Sequence, residues 1–500
     1  MKKLMTIGAG VIALGAAGWA GLWFLGKGEV ERRVELELAR LQSQGWTITE
    51  EAREVEGFPF GYAVNFTNFA AVDAETGVLV RLPQVTVSAE PTAPDQLRFD
   101  LPETFQIDVP VPEERRKQDV TLPKILQMKG EARDFAVIAS GAPGQGRTID
   151  ALAAELKIAL DQADFPGAVW ITIDGLDGGM TDQAGADTAV SRIKADTLQV
   201  RVEDEGSGEG GKTSTAAFRY EAISMTASTD LSTPEALYEA IYGGADGQLD
   251  GAFQTGAIHT TMTAGSAEDP EGGTFTYTAK SSTGIYVLES GGIDIKGEAR
   301  DNTWQMEANN PASPVEGLVS VRQVQARYRM PMSPSEIPGD MAIRLELSGL
   351  NMNDATWASL DPKGVLPREP ADLVLDLEGT VRVTKRFDTL REGEAPPFEL
   401  ANLIVKDIAV SALGASAKAA GDVEMVQPVN APQGQLQVEF SGAQALLTAL
   451  SKAGLLPEEM AQMGDAMLKV YARPTGEEDG WRTEVSFATD GISVNGLPVQ

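Results

Sequence analysis

Acidic side chains are the first candidates for chemistry, since Asp and Glu number 73 in a chain of 500 residues. Asp174, Asp177, Asp182 and Asp187, within the run DGLDGGMTDQAGAD, offer the hard oxygen ligands that calcium takes. Their spacing departs from the D-x-[DN]-x-[DN]-G loop, and GGADGQLDG at 243–251 occurs once where calcium-binding nonapeptides repeat. Solvated turns account for both runs, and no metal ligands are assigned. Paired carboxylates would serve a glycosidase, but no pair stands apart in so acidic a chain. His259 is the sole histidine and lies in AIHTTMT, alternating as a strand residue does. Cysteine is absent, which excludes disulfides, thiol catalysis, iron–sulfur clusters and thiolate zinc. There is no G-x-S-x-G elbow, Walker loop or dinucleotide fingerprint within a βαβ unit. GSGEGG at 206–211 precedes no helix and reads as a linker. The chain reads as non-enzymatic, with no catalytic residue and no cofactor.

The remaining candidates are apolar: Phe58, Phe60, Tyr62, Phe66 and Phe69. One reading makes them the mouth of an apolar groove open toward a bilayer; the other makes them the first layer of a core. They open the stretch Gly57 to Glu90. There Tyr62, Val64 and Phe66, then Val85, Val87 and Ala89, alternate with polar or small residues on either side of Asp73-Ala74-Glu75-Thr76-Gly77. Period-two alternation across a Gly-ended loop predicts a hairpin with one dry face. Pro83, lacking an N–H, belongs at an edge, a bulge or a strand start.

What must position these residues begins at the amino terminus. Residues 4–25 carry no charge and are flanked by Lys2, Lys3 and Lys27. At ~1.5 Å per residue such a run crosses the ~30 Å hydrocarbon layer. It exceeds an h-region of about 7–15 residues, so it reads as an uncleaved signal-anchor over residues 1–28, with bilayer lipid as its partner. The expected location is the bacterial inner membrane, single-pass, with the main body periplasmic. Cleavage near Gly18 and Ala20, and secretion to the periplasm, is the alternative. A net charge of −32 repels phosphate backbones and argues against nucleic acid.

Val30, Val34, Leu38 and Leu41 share a helical face, predicting an amphipathic neck helix over 29–45. Alternating runs then follow: VWITI (169–173), LQVRVE (198–203), VQARYRM (324–330), IRLELSGL (343–350), LVLDLEGTVRV (373–383) and LQVEFSG (436–442). The tail TEVSFATDGISVNGLPVQ reads as a closing hairpin. Helices are few: TPEALYEAIYGG, with Pro234 at the first position and Gly243 past the end, and a pair over 442–469 broken at Gly454 to Pro457. Met460, Met463 and Met467 share one face of the second and read as core filling. Residues 149–162 fit helix or strand. The fold class is mainly β: extended, twisted antiparallel sheets as a trough, sandwich or open barrel, after one N-terminal transmembrane helix. Two β-rich parts are expected, 46–262 and 263–500, the second holding the helical insertion.

GFPF before a strand, the block LELSGLNMNDATWASLDPKGVLPREPADLVLDLEGTVRV (345–383) and the ending DGISVNGLP resemble the bacterial domain of unknown function 2125 family. The block and the terminal NGLP are more distantly similar to AsmA-like envelope proteins. The resemblance implies a membrane-anchored, β-rich periplasmic protein of envelope upkeep, and it brings no catalytic residues. Three functions follow as expectations. The body holds or hands over phospholipid in an apolar β-trough; or it is a tethered scaffold for envelope proteins; or it is a carboxylate-dependent hydrolase.

Overall fold

The computed structural model describes residues 45–56, 62–90, 93–111, 123–140, 146–161, 167–182, 188–204, 214–231, 234–265, 272–289, 291–308, 316–390, 393–426, 431–489 and 491–499, with 35, 38, 39, 42 and 113. The apolar run 4–25, Phe58, Phe60, Asp187 and the linker 206–211 lie outside them. Of the expected neck, residues 35, 38, 39 and 42 are described and helical. Among the described residues no helix is long and apolar enough to cross a membrane. They form a mainly β, antiparallel structure in two compact units. The first comprises the chain to Asp230 with Phe253–Thr274; the second comprises Leu231–Ala252 with the chain from Phe275.

Unit 1 starts with β1 (Trp46–Thr49), β2 (Ala52–Glu56), β3 (Tyr62–Asp73) and β4 (Leu79–Glu90). β3 and β4 form the expected hairpin, with Val64 opposite Val87 and Phe66 opposite Val85. The Asp73 carboxylate accepts from the Glu75 N–H at 3.3 Å, an Asx turn, and from the Thr76 N–H at 3.2 Å. β5 (Ala93–Asp100), β6 (Thr104–Pro110), β7 (Ile125–Arg133), β8 (Ala136–Ser140) and β9 (Thr148–Asp161) follow. β4 pairs β6 through 79–81 and β5 through 86–90. β9 pairs β8 through 148–152 and β7 through 155–159. With β5 on β8 and β6 on β7, the hydrogen-bonded ring closes, leaving these six strands no free edge. Val64, Val80, Leu97, Ile107 and Val137 are buried in its core.

Pro83 sits where β4 changes partners, so its missing N–H costs no ladder bond. It faces Asn68, which takes φ 48°. Residues 149–161 are strand: Ile149, Ala151 and Ala153 are buried, and then Leu156 is. The step of three falls where β9 leaves β8 for β7. Ring closure overrides the helix preference of Ala, Leu and Glu.

β10 (Ala168–Asp182), β11 (Ala189–Asp204), β12 (Ser214–Thr229) and β14 (Ile258–Ala264) extend from β9. The expected Asp/Gly turns are corrected here, because residues 174–182 run through β10. β13 (Gln248–Thr255) and β15 (Gly273–Ala279) are the strands in which the chain passes between units.

Unit 2 is a meander: β16 (Ser281–Glu289), β17 (Gly292–Ala308), β18 (Glu316–Pro331), β19 (Gly339–Met352), β20 (Ala371–Val383), β21 (Phe398–Ala412), β22 (Ala415–Val426), β23 (Ala431–Ser441), the two-residue β24 (Arg473–Pro474), β25 (Gly480–Ala488), β26 (Gly491–Val494) and β27 (Leu497–Val499). β26 and β27 make the predicted closing hairpin around Asn495 and Gly496, both at positive φ.

The described helical pieces of unit 2 are four α-helices, the first of them before the meander, and a 3-10 turn (Phe387–Thr389) after β20. α1 (Pro234–Tyr238) continues as a π turn over Glu239–Gly243, capped by Gly244 at φ 71°; the expected stop before Gly243 is one residue early. α2 (Asp354–Leu360) went unpredicted, although Asn353 caps it by accepting from the Thr356 N–H at 2.8 Å. α3 (Ala443–Ala453) and α4 (Glu458–Tyr471) match the predicted pair, Gly454 ending the first at φ 88°. The expected core filling by Met460, Met463 and Met467 is corrected: all three are exposed, because α4 lays Gly464 against Leu447 of α3 instead.

Candidate functional site: an open apolar sheet face

The register of unit 2 brings the alternating residues of separate strands into rows. One row runs Tyr286, Ile295, Tyr328, Ile343, Leu377, Val405, Gly421, Leu436, Val485, Val494 and Leu497, each residue opposite the next. A second runs Gly297, Ala326, Leu345, Leu375, Ile408, Ala419 and Val438. A third runs Ala299, Val324, Leu347, Leu373, Val410, Ala417, Phe440 and Trp481. Side chains paired across a ladder point to one face, so these rows make a single apolar surface.

Both strand ends of that surface are covered. At one end Met330, Met332, Met341 and Val381 are buried beneath Ile241 and Tyr242 of the π turn, with Phe387 and Phe398. At the other, Trp357 of α2, Leu366 and Ala453 of α3 pack with Met352, Leu413 and Leu450. Between them the face is partly open: Ile295 is 42% exposed, Tyr328 39%, Ile408 36% and Val410 41%, while Val405 of the first row is buried.

The opposite face is charged. Lys296, Arg327, Arg344, Asp376 and Asp407 form one row. The Arg327 guanidinium donates to both Asp294 oxygens at 3.1 and 2.8 Å, holding that carboxyl below the usual carboxylate range. Arg344 reaches Asp376 at 3.2 Å. A groove of about 440 Å³ on this side is lined by Asp372, Ser416, Lys418, Glu439, Ser441 and Arg482 among others. Arg482 pairs with Glu439 across it at 2.7 Å, and Lys418 reaches Asp407 at 3.5 Å.

The pattern of residues on this face slips by one in three adjoining strands, as Ala299 to the buried Asn302, Val324 to Val321 and Leu347 to Leu350. Asp301, Arg322 and Gly349 lie at the slip, where Asp301 has φ 51° and Gly349 φ 68°. Left-handed residues reverse the alternation and keep the apolar side chains on one face. Unit 1 holds a counterpart: Ile173 to Leu176, Leu198 to Ala195 and Tyr220 to Ile223, at Gly175 (φ 61°), Asp196 and Ala222 (φ 48°).

Of the sequence candidates, Tyr62 pairs with Ala89 in the hairpin. Phe66 and Phe69 are buried in the ring's core, edge to face at 5.7 Å. Phe58 and Phe60 are not among the described residues. His259 is exposed, opposite Arg219, with its ring nitrogen 3.1 Å from the Thr261 hydroxyl. Asp174 accepts from the Thr197 hydroxyl and Asp177 from Arg192 at 3.2 Å, so both are engaged in cross-strand contacts. The open residues of unit 2 escaped singling out because alternation marks a dry face without saying whether anything covers it.

No curated protein and no solved structure matches the chain. A family model described as an uncharacterized protein conserved in bacteria (DUF2125) matches it in two stretches, residues 23–272 and 263–500. The first contains the slip in unit 1 and the second the slip in unit 2. With nearly the whole chain so matched, the protein belongs to the DUF2125 family of bacteria.

Proposed function

We propose that this is a non-enzymatic, membrane-anchored protein of the bacterial cell envelope whose unit 2 apolar face holds the acyl chains of phospholipid. The observation that carries the reading is the uncovered stretch between the two capped ends. Apolar surface facing water costs roughly 25 cal/mol per Å², and here it continues across the strands of a whole sheet. Four residue steps, from Ile343 to Leu347, make it about 13 Å wide at ~3.3 Å per residue. All three rows run together from β17 to β23, and six strand spacings of ~4.8 Å make that surface about 29 Å long. A single leaflet's hydrocarbon depth of about 15 Å fits well within that length. Acyl chains need no hydrogen-bond partners, and the three rows are almost wholly apolar, their polar side-chain groups being the Tyr286 and Tyr328 hydroxyls and the Trp481 N–H, which is bonded to Asp479. The uncharged run 4–25 supports a tether in the inner membrane with the body in the periplasm.

The test is native mass spectrometry with lipid extraction on the chain released from cell envelopes. Phospholipid at fixed stoichiometry is expected, and Ile408→Asp should reduce it about tenfold or more, since a carboxylate in an apolar contact costs well over 1.4 kcal/mol. A lipid-free protein, with protein adducts forming at a crosslinker in place of Ile408, would replace this reading with a scaffold for envelope proteins.

A further inference from the structure

The apolar face of unit 2 continues beneath one of its covers. Two residues along the strands from the row of Tyr286, Ile295 and Tyr328, the same face carries Leu288, Ile293 and Met330, each opposite the next. Met341, Gly379 and Leu403, opposite one another in turn, stand two residues along from Ile343, Leu377 and Val405. Met330 and Met341 are buried, and Ile241 and Tyr242 of the π turn pack over them. The segment bearing these two side chains is a detour between β12 and β13. Its ends meet, since the Leu231 side chain lies against Gly247. A loop closed at its neck can turn there as one piece. Glycine supplies the turning points, with Gly244 at φ 71° and Gly247 at φ 155°, a region that side chains with a Cβ avoid.

The polar contacts that hold the segment down are side-chain contacts for the most part. Arg386 donates to both Glu239 oxygens at 3.0 and 3.1 Å and to Asp388 at 3.1 Å, and the Tyr238 hydroxyl donates to Asp388 as well. From the sheet, the Gly291 N–H donates to the Ala240 carbonyl at 2.7 Å. Exposed ion pairs are weak fasteners singly, and none of these bonds belongs to a strand ladder. We propose that Pro234–Gly243 is a lid on the acyl-chain face, latched through Arg386, and that an acyl chain takes the place of Ile241 and Tyr242 when it lifts. The proposal rests on the reading of that face as an acyl-chain site. Lifting adds a fourth row to the open surface, two residue steps or about 6.6 Å of extra width, and breaks no strand pairing. The exchange is like for like: hydrocarbon leaves Met330 and Met341 and hydrocarbon replaces it, so the row stays out of water in both states. Methionine, unbranched and polarizable, packs against either occupant.

The full chain has no cysteine, so one introduced thiol reports on a single place. Maleimide labelling rates are measured for Ile241→Cys on the lid, Met341→Cys beneath it, and Ala453→Cys under the helical cover at the other end. Adding Arg386→Gln should raise the rates at 241 and 341 about tenfold and leave 453 slow. Lysophosphatidylethanolamine added to the Arg386→Gln forms should then slow 341 about tenfold while 241 stays fast. Met330→Cys, in the same row, replaces Met341→Cys if the latter melts early. A rate at 341 that Arg386→Gln leaves unchanged would overturn the lid, making the segment a fixed cap. A rise at 453 as large as that at 341 would overturn it too, as general loosening. Slowing at both 341 and 241 would overturn the exchange, since lipid would then be drawing the cover shut. Opening by Arg386→Gln with no response to the lysophospholipid would support the lid and count against acyl chains as the ligand, which keeps the two readings separable.

Discussion

Gly349 shows what a single residue contributes to the apolar face. Its φ of 68° lies in the left-handed region, where a Cβ costs roughly 1–2 kcal/mol, and an added Cβ would sit 3.1 Å from the Cβ of Arg322. Gly349→Ala is expected to destabilise the protein by about 1–3 kcal/mol, read as a lower denaturant midpoint. Ala222 occupies the equivalent kind of position at φ 48°, so Ala222→Gly should be neutral or stabilising by up to about 1 kcal/mol. If both substitutions cost the same, the left-handed rows are not what holds the alternation in phase. At this scale much was legible. Val324, Ala326, Tyr328 and Met330 alternate in the sequence as they do in β18. Exposure was not legible: Phe66 and Ile408 are both large and apolar, yet only the ring around Phe66 closes over it.

Among the elements, the segment Pro234–Gly243 is held by a small set of contacts to Arg386 and an apolar cover. Arg386 donates to both Glu239 oxygens at 3.0 and 3.1 Å and to Asp388 at 3.1 and 3.2 Å. Its guanidinium also lies 5.5 Å from the centre of the Tyr238 ring. The guanidinium holds the Glu239 and Asp388 carboxyls below their ordinary range. Depressed carboxyls stabilise the folded form fully above the unfolded pKa of about 4 and lose that contribution as pH falls through the lower native values. The clamp therefore holds at neutral pH. Arg386→Ala should speed hydrogen exchange of residues 234–243 at neutral pH while leaving β20 to β23 protected. Unchanged exchange in 234–243 would mean that the apolar cover alone, Ile241 and Tyr242 on Met330 and Val381, keeps the segment in place. The helix itself could be read from Pro234 and the apolar spacing. Its π turn could not, because that depends on Gly291 donating to the Ala240 carbonyl at 2.7 Å, a bond formed only once the sheet exists. β9 shows the same limit, its partners lying in strands that no local window contains.

For the whole molecule the deciding quantity is charge. The chain carries 41 Lys and Arg against 73 Asp and Glu, a net −32. Salt acts on such a chain in two opposing ways. It weakens the ion pairs that cross the polar face, such as Arg382 with Glu399 and Arg344 with Asp376, but exposed pairs of this kind contribute only about 0–1 kcal/mol each. It also screens the repulsion among the unpaired excess of carboxylates, which destabilises any compact state. Raising salt from ~0.01 M to ~0.15 M shortens the screening length from about 30 Å to about 8 Å, and repulsion summed over many distant pairs loses more than contacts near 3 Å do. The unfolding midpoint should therefore rise with salt over this range. A midpoint that falls would place the paired rows of the polar face above the net charge as the controlling electrostatic feature, and would make that face a stabilising lattice rather than a solvating coat. The sign of the charge was plain in the sequence. Its arrangement was not, because the row Lys296, Arg327, Arg344, Asp376, Asp407 is assembled from five strands whose register only the folded sheet defines.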